Sequence, residues 1–153
     1  MVYLLLGTNL GDRKANLETA GRLLEEAFGL CEGASRTLES EALGFEGPAF
    51  LNRVEAYRTR MRPASVLRAC KTIERRMGRT DAPQYRPDGS RIYRSRIIDI
   101  DILEYWPAKA GKSLAINTLE LTVPHPQVVS RAFVRPLLDQ VKKQTKKQTK
   151  KLK

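Results

Sequence analysis

Apolar residues near the start of the chain follow first the pattern of a strand and then that of a helix. Residues Val2 to Leu6 form an uninterrupted apolar run that ends at Gly7, which predicts a buried central strand. A helix is predicted to follow, because Asp12 can cap its start and Gly29 can end it. Its apolar residues recur at helical spacing, namely Leu17, Ala20, Leu24 and Phe28.

The same patterns return further along the chain. Residues Leu30 to Leu38 and the alternating stretch Phe50 to Tyr57 predict two strands that pair antiparallel. Pro63 favours a second helix start and Gly78 its end, and the apolar stripe between them comprises Val66, Cys70, Ile73 and Met77. With a strand at Ile98 to Ile102, this order predicts an α+β fold, a ferredoxin-like βαββαβ sandwich. We expect an antiparallel sheet with helices packed on one face, plus C-terminal additions.

The segment from Thr80 to Ile92 shows neither periodicity. It contains Pro83, Pro87 and Gly89 among mostly polar residues, so it is predicted to be a long loop. With few apolar groups to bury, this loop should be mobile and close over bound substrates.

Charge is distributed unevenly along the chain. The net charge is +11 for 153 residues, which is a length typical of one domain. The stretch from Lys142 to Lys153 holds seven lysines and no acid, so the remainder carries only +4. We therefore predict one domain over residues 1–141 and a disordered, solvated tail over 142–153. Loose attraction of this tail to polyanions is the alternative.

The cysteines and the hydropathy of the chain indicate where in the cell the protein is found. Cys31 and Cys70 lack metal-ligand spacing and are expected to be free thiols. The N-terminal apolar run is short for a signal peptide, and no stretch approaches the ~20 apolar residues of a membrane span. These features predict a cytoplasmic protein with no membrane partner. We also expect a monomer.

The pentad Ile98 to Ile102 contains two acids in an otherwise β-branched run. Since side chains alternate across a strand, Asp99 and Asp101 should share one face. Paired carboxylates suit Mg²⁺, which completes its shell with water and phosphates, and nearby arginines such as Arg96 suit phosphate. The alternative is a half-buried strand whose polar face meets water.

Three segments, YLLLGTNLGDR, RSRIIDIDIL and LTVPHPQVVSRAFVRPLL, together resemble the hydroxymethyl-dihydropterin pyrophosphokinases of folate biosynthesis. The resemblance extends from Val2 to about Leu138. It implies transfer of diphosphate from ATP to the hydroxymethyl group of 6-hydroxymethyl-7,8-dihydropterin, with release of AMP and the help of two Mg²⁺ ions. It also implies the ferredoxin-like scaffold.

The resemblance further assigns roles by position. It implies that the catalytic residues are Arg96, Asp99 and Asp101, with both aspartates as metal ligands. The implied ATP-binding residues are Lys71, Glu74, Arg96, Ile102, Thr122, His125 and Arg131. The implied pterin-binding residues are Gly7, Ser40, Leu43, Asn52, Tyr93 and Phe133. Taken alone, His125 could be structural, Lys71 and Glu74 a surface ion pair, and Phe133 ordinary core.

Two other functions are possible for such a chain. A non-enzymatic RNA-binding module would explain the positive charge, but its sheet would present aromatic residues for base stacking, whereas this one presents acids. No specific nucleic-acid partner is therefore expected. An inactive family member with a scaffolding role is the third possibility.

Overall fold

The computed structural model describes residues 1–79 and 84–151, with side chains described up to residue 147. Its elements are β1 (Val2–Thr8), α1 (Arg13–Phe28), β2 (Cys31–Ala34), β3 (Leu38–Ser40), β4 (Phe50–Tyr57), α2 (Pro63–Arg76), β5 (Gln84–Tyr85), β6 (Arg91–Ile92), β7 (Asp99–Tyr105), β8 (Ile116–Asn117), β9 (Thr122–Val123), α3 (Gln127–Ser130) and α4 (Val134–Lys151).

Local signals placed the first helix correctly. The carboxylate of Asp12 accepts a hydrogen bond from the Ala15 amide at 3.0 Å and so caps α1. Gly29 ends the helix with a φ of 91°, a left-handed conformation that residues with a side chain rarely adopt. Likewise, α2 begins at Pro63, and β4 has the predicted bounds.

The main sheet is open and antiparallel. Its strands lie in the order β2-β4-β1-β7, with β3 also paired to β4. The predicted pairing of the Leu30–Leu38 region with β4 is therefore confirmed. The fold is a mixed α/β arrangement with four helices in the described residues, and β1 lies at its centre.

Both faces of the sheet are covered. On one face α1 and α2 pack against the alternate residues Leu4 and Leu6 of β1. On the other face α3 and α4 pack against Tyr3 and Leu5. The first two helices thus share one face as expected, and the C-terminal helices lie on the opposite one.

The C-terminal segment differs from the expectation. Helix α4 continues to Lys151, whereas the sequence pattern predicts a disordered tail from Lys142 onward. Lys142 Nζ lies 2.6 Å from Glu104 Oε2, and Thr145 is 5 % exposed beside the Tyr3 hydroxyl. Gln144 binds both backbone groups of Ala34, at 3.1 and 3.0 Å. Polar side chains, which an apolar pattern does not detect, attach this turn to the sheet.

The arginine-bearing loop also differs in part. Residues 84–92 contain a small hairpin, β5 paired with β6, and so are not one irregular loop. Residues 80–83 lie outside the described residues, and the predicted mobility of Thr80 to Ile92 remains a prediction. Within the described ranges, no helix is long and apolar enough to span a membrane.

Candidate active site

Asp99 and Asp101 lie on the edge strand β7. They alternate with Ile100, so both side chains are on the sheet face that α3 and α4 cover. Their side chains are 19 % and 21 % exposed. The pair therefore forms part of a half-buried site, and not a strand face bathed in water.

Two arginines bind the Asp99 carboxylate. Arg79 Nη1 donates to Oδ1 at 2.7 Å, and Arg96 Nη1 donates to Oδ2 at 2.6 Å. Burial alone would raise the pKa of Asp99, but the charges of Arg96 and Arg79 hold it below its usual range. Arg96 Nε is buried and makes no hydrogen bond within the described part of the chain. This guanidinium therefore has a donor to offer an incoming anion.

Asp101 has weaker partners. Gln127 Nε2 donates to its Oδ2 at 3.3 Å, and His125 Nε2 is 3.8 Å from Oδ1. Burial, and then the negative charge of Asp99, raise the pKa of Asp101 to about 7. The two aspartates thus differ, because Asp99 is held ionised by two paired arginines, whereas no arginine or lysine among the described residues forms an ion pair with Asp101.

The loop carrying His125 is fixed to the outer edge of β7. The His125 backbone amide donates to the Leu103 carbonyl at 2.9 Å, and its Nδ1 accepts from the Gln127 amide at 3.2 Å. A neutral imidazole in this setting carries its proton on Nε2, the atom facing Asp101. Burial lowers the pKa of His125, which favours that neutral form.

Lys71 and Glu74 project from α2 to the same edge. The Ile100 amide donates to Glu74 Oε1 at 2.8 Å, while Lys71 Nζ lies 3.1 Å from Oε2. The Glu74 side chain is only 3 % exposed, and burial followed by the charge of Asp99 raises its pKa. The pair is therefore part of the β7 edge, and not a solvated ion pair on the helix surface.

A row of three residues crosses the sheet in front of this cluster. Asn52 is opposite Gly7, and Gly7 is opposite Asp99. Because directly opposed residues share a face and adjacent strands lie 4.7–4.9 Å apart, about 10 Å separates the outer two backbones. A Cβ on Gly7 would lie 3.3 Å from Asn52 Oδ1. The glycine thus leaves a bare trough between an amide and a carboxylate.

The Asn52 end of the trough is well ordered. Its Nδ2 donates to the Leu38 carbonyl at 3.1 Å and to Ser40 Oγ at 2.8 Å, and Asn52 is 5 % exposed. Phe50, which the sequence analysis did not select, has a ring atom 3.6 Å from the position of a Gly7 Cβ. Phe50 lies two residues before Asn52 on the same strand, so strand alternation could have predicted that both side chains share one face.

Leu43 and Tyr93 lie on two exposed segments near the trough. They are 63 % and 47 % exposed, and a Cβ on Gly44 would contact the Tyr93 ring at 3.9 Å. The guanidinium carbons of Arg91 and Arg96 lie 5.6 and 5.8 Å from the Tyr93 ring centroid. Tyr93 therefore connects this outer rim to the arginine cluster.

The remaining predicted site residues are spread more widely. Phe133 is partly buried on the α4 side of the sheet, with the Arg131 guanidinium 4.9 Å from its ring centroid. Thr122 is half-buried in β9. The Ile102 side chain, 2 % exposed, lies in the core beneath α1 and α2, on the face opposite Asp101. Only the backbone of Ile102 is thus on the site side.

An open cleft of about 550 Å³ lies beside Arg96. Its walls come from the start of α1, the end of α2 and the segment before β7, and include Asp12, Asn16, Gly78, Arg79, Arg94 and Arg96. Of the three arginines that line it, Arg79 and Arg96 are paired with Asp99, and Arg94 lies in the loop before β7. The cleft extends the basic side of the Asp99 cluster towards solvent.

The carboxylates of the site determine how it could hold a metal. No group of three or more His, Cys, Asp or Glu side chains that could hold an ion occurs in residues 1–79 and 84–151. A closed all-protein cage is therefore not present there. Two carboxylates in a half-buried site do fit Mg²⁺, which keeps several waters and shares its ligands with substrate phosphates.

Comparison with known proteins identifies the relatives of this chain. The family model for 7,8-dihydro-6-hydroxymethylpterin-pyrophosphokinase matches residues 3–143. A 2-amino-4-hydroxy-6-hydroxymethyldihydropteridine pyrophosphokinase of Porphyromonas gingivalis is 41 % identical over 143 residues, covering 91 % of this chain and 89 % of the relative. The enzyme of that name from Aquifex aeolicus is 39 % identical, covering 90 % and 78 %. A mitochondrial folate synthesis bifunctional protein of Pisum sativum is 36 % identical, covering 90 % of this chain and 24 % of its own length.

Proposed function

Because this chain belongs to the 7,8-dihydro-6-hydroxymethylpterin-pyrophosphokinase family, and so is a diphosphotransferase of folate synthesis, we propose that it transfers diphosphate from ATP to 6-hydroxymethyl-7,8-dihydropterin. The products are AMP and the pterin diphosphate. The observation that carries this proposal is the row formed by Asn52, Gly7 and Asp99. It offers a flat gap of about 10 Å, suited to a bicyclic ring, between a hydrogen-bonding amide and an acidic centre.

The pterin lies in this trough. Asn52 uses its fixed amide to bind the pyrimidinone edge, since its oxygen can accept from the ring while Ser40 and Leu38 hold its nitrogen. Phe50 and Phe133 supply apolar walls, and Leu43 and Tyr93 complete the rim. The hydroxymethyl group then points along the row towards Asp99.

ATP lies across the edge of β7. The guanidinium groups of Arg96 and Arg79 exchange Asp99 for phosphate oxygens. Arg96 Nε, which has no hydrogen-bond partner among the described residues, is a further donor. His125 and Arg131 approach the phosphates from the α3 side. Lys71, Glu74, Thr122 and the backbone of Ile102 line the nucleoside end.

Asp99 and Asp101 would hold two Mg²⁺ ions together with the phosphates. Bound metal would supply charge neutralisation for the transferred group and the departing AMP. The chain's own residues orient the reactants, because the strand row places the pterin hydroxyl and the arginines place the β-phosphorus. The pterin oxygen forms a bond to the β-phosphorus, the bond from that phosphorus to the α,β-bridging oxygen breaks to release AMP, and the hydroxyl proton passes to solvent.

The scaffold is part of the same proposal. We assign the strand order β2-β4-β1-β7, with α1 and α2 on one face, to the ferredoxin-like plan expected from the sequence. One domain, acting as a monomer in the cytoplasm, carries the whole reaction.

The test is the release of AMP from ATP, measured with and without the reduced pterin in Mg²⁺ buffer. We expect AMP and pterin diphosphate in equal amounts, and no AMP when the pterin is omitted. Asp99→Asn should lose nearly all turnover while remaining folded, because the amide keeps the shape of the carboxylate but not its charge. ADP as the product, or full activity in Asp99→Asn, would contradict the proposal. No turnover with any reduced pterin would favour an inactive scaffold.

A further inference from the structure

The far end of α4 presents a basic surface that the proposed reaction does not use. Lys142, Lys143, Lys146 and Lys147 follow a four-residue repeat, KKQT. In a helix, residues four apart lie on the same side, so these lysines form two neighbouring rows. Val141 and Thr145 are buried against the sheet on the other side of the helix. The repeat therefore directs Lys143, Lys146 and Lys147 away from the protein body, while Lys142 lies beside the sheet.

Contacts between α4 and the sheet hold the basic surface in place at its first residues. Lys142 is paired with Glu104 at 2.6 Å and lies 5.1 Å from the Trp106 ring, while Gln144 and Thr145 bind β2 and β1. Beyond them, Lys143, Lys146 and Lys147 are exposed, and none has an ion-pair partner in the described part of the chain. Lys142, Gln144 and Thr145 thus fix the helix to the sheet, and Lys143, Lys146 and Lys147 face solvent.

The positive charge of the segment is dense enough to bind a polyanion. The helical backbone continues to Lys151, and the sequence adds Lys150 and Lys151 with no acid after Asp139. At 1.5 Å per residue, the five lysines from 143 to 151 span about 12 Å. Duplex nucleic acid carries one negative charge per ~1.7 Å of its axis, so this length matches about seven phosphates.

We propose that the lysine rows of α4 form a sequence-independent binding surface for the phosphate backbone of nucleic acid. Lysines without interleaved aromatic residues contact phosphates and do not read bases. A membrane surface fits less well. Membrane-bound helices insert an apolar face, whereas the apolar residues of α4 pack on the sheet and none occurs between Val141 and Leu152. This surface lies outside the trough and the β7 edge, so the proposal stands independently of the catalytic one.

The experiment measures the binding of a fluorescently labelled 20-base-pair duplex to the full chain by anisotropy across a salt series. The test variant carries Lys143→Gln, Lys146→Gln, Lys147→Gln, Lys150→Gln and Lys151→Gln. The matched control loses five exposed charges elsewhere, through Lys14→Gln, Arg22→Gln, Arg60→Gln, Arg62→Gln and Arg68→Gln. Both variants fall to the same net charge, and neither alters a residue of the proposed active site.

For the unmodified chain, five phosphate contacts predict an affinity loss of more than 10²-fold between 50 and 200 mM salt. The test variant should bind at least tenfold more weakly at low salt, with a much shallower salt dependence, while its pterin turnover is unchanged. The control should bind nearly as well as the unmodified chain. Equal losses of duplex affinity in both variants would show that only the net charge of the protein matters, and would overturn the proposal. Tighter binding to vesicles rich in anionic lipid than to the duplex would overturn it in favour of a membrane surface.

Discussion

Asn9 and Arg96 are joined by two hydrogen bonds across 87 residues of sequence. The Asn9 amide donates to the Arg96 carbonyl at 3.0 Å, and Asn9 Oδ1 accepts from the Arg96 amide at 2.6 Å. The Asn9 side chain, 1 % exposed, also donates to the Pro48 carbonyl and to Ser95 Oγ. One buried amide thus fixes the end of β1, the loop before β4 and the arginine that binds Asp99.

Replacing Asn9 should therefore affect catalysis through the position of Arg96. Asn9→Ala leaves the Arg96 amide without its partner, and we expect the free energy of unfolding to fall by about 1–3 kcal/mol. Because Arg96 would keep only the backbone bond from residue 9 and lose the one to Asn9 Oδ1, its guanidinium should be held less precisely, and kcat should fall as well. Asn16→Ala is the control, since Asn16 binds Thr8 and Leu10 without reaching Arg96. Urea unfolding measures the loss of stability, and steady-state kinetics measures the loss of kcat. Equal losses of kcat in Asn9→Ala and Asn16→Ala would contradict a positioning role for Asn9.

The raised pKa of Asp101 predicts a pH-dependent stability difference. A carboxyl whose pKa is about 7 in the folded chain and ~3.9 when unfolded binds its proton more tightly when folded. It thus contributes stability that is complete below pH ~4 and is lost as the pH rises through ~7. In metal-free buffer, Asp101→Asn should be more stable than the unmodified chain at pH 8, with less of this advantage at pH 5, yet inactive.

The control for this comparison is Asp139→Asn, which alters a half-exposed carboxylate of α4 paired with Arg135. Its stability difference should be small and nearly constant between pH 5 and pH 8. A constant difference for Asp101→Asn too would show that Asp101 titrates normally.

Gly7→Ala tests the trough. The added methyl would lie 3.3 Å from Asn52 Oδ1 and 3.6 Å from the Phe50 ring, so it fills the gap between them. We expect the Kd for the pterin to rise at least tenfold, or about 1.4 kcal/mol, with nucleotide affinity retained. Calorimetry with each ligand measures this. Gly21→Ala, on α1 beneath the other face, should leave pterin affinity unchanged, and an unaffected Kd in Gly7→Ala would place the pterin elsewhere.

Two truncations test the C-terminal helix. Removing residues 148–153 should leave the free energy of unfolding unchanged, because the described contacts of α4 with the sheet lie before that point. Removing residues 142–153 also deletes the contacts of Lys142, Gln144 and Thr145, and should cost about 2 kcal/mol or more. Turnover of the folded protein should persist in both. Equal stability of the two truncated chains in urea would show that these polar contacts contribute nothing.

Sequence patterns predicted the helices and strands that are determined by residues close together in the chain. The cap at Asp12, the proline at Pro63 and the apolar alternation of β4 each act within a few residues, and the structure follows them. Strand alternation also placed Asp99 and Asp101 on one face. The same alternation puts the Ile102 side chain on the opposite face, as the structure shows.

Contacts between distant segments were not predictable in this way. Arg79 lies 20 residues before Asp99, and nothing local distinguishes it from the other arginines of that region. Asn9 and Gln127 likewise acquire their partners only when separate elements meet. The helical end of α4 was missed because Gln and Thr, and not apolar residues, face the sheet there, so hydrophobic periodicity gave no signal.

Gln140 and Gln144 have a consequence for the outer edge of β2. Gln144 accepts from the Ala34 amide and donates to its carbonyl, and Gln140 accepts from the Arg36 amide at 3.2 Å. A side-chain amide has the same donor and acceptor as a peptide group, so Gln144 acts here like a single residue of an additional strand. An open strand edge is a template on which other chains can add and aggregate. Gln144 occupies that template at Ala34, and Gln140 covers the Arg36 amide two residues beyond β2, so we expect this helix to protect the sheet against self-association at high concentration.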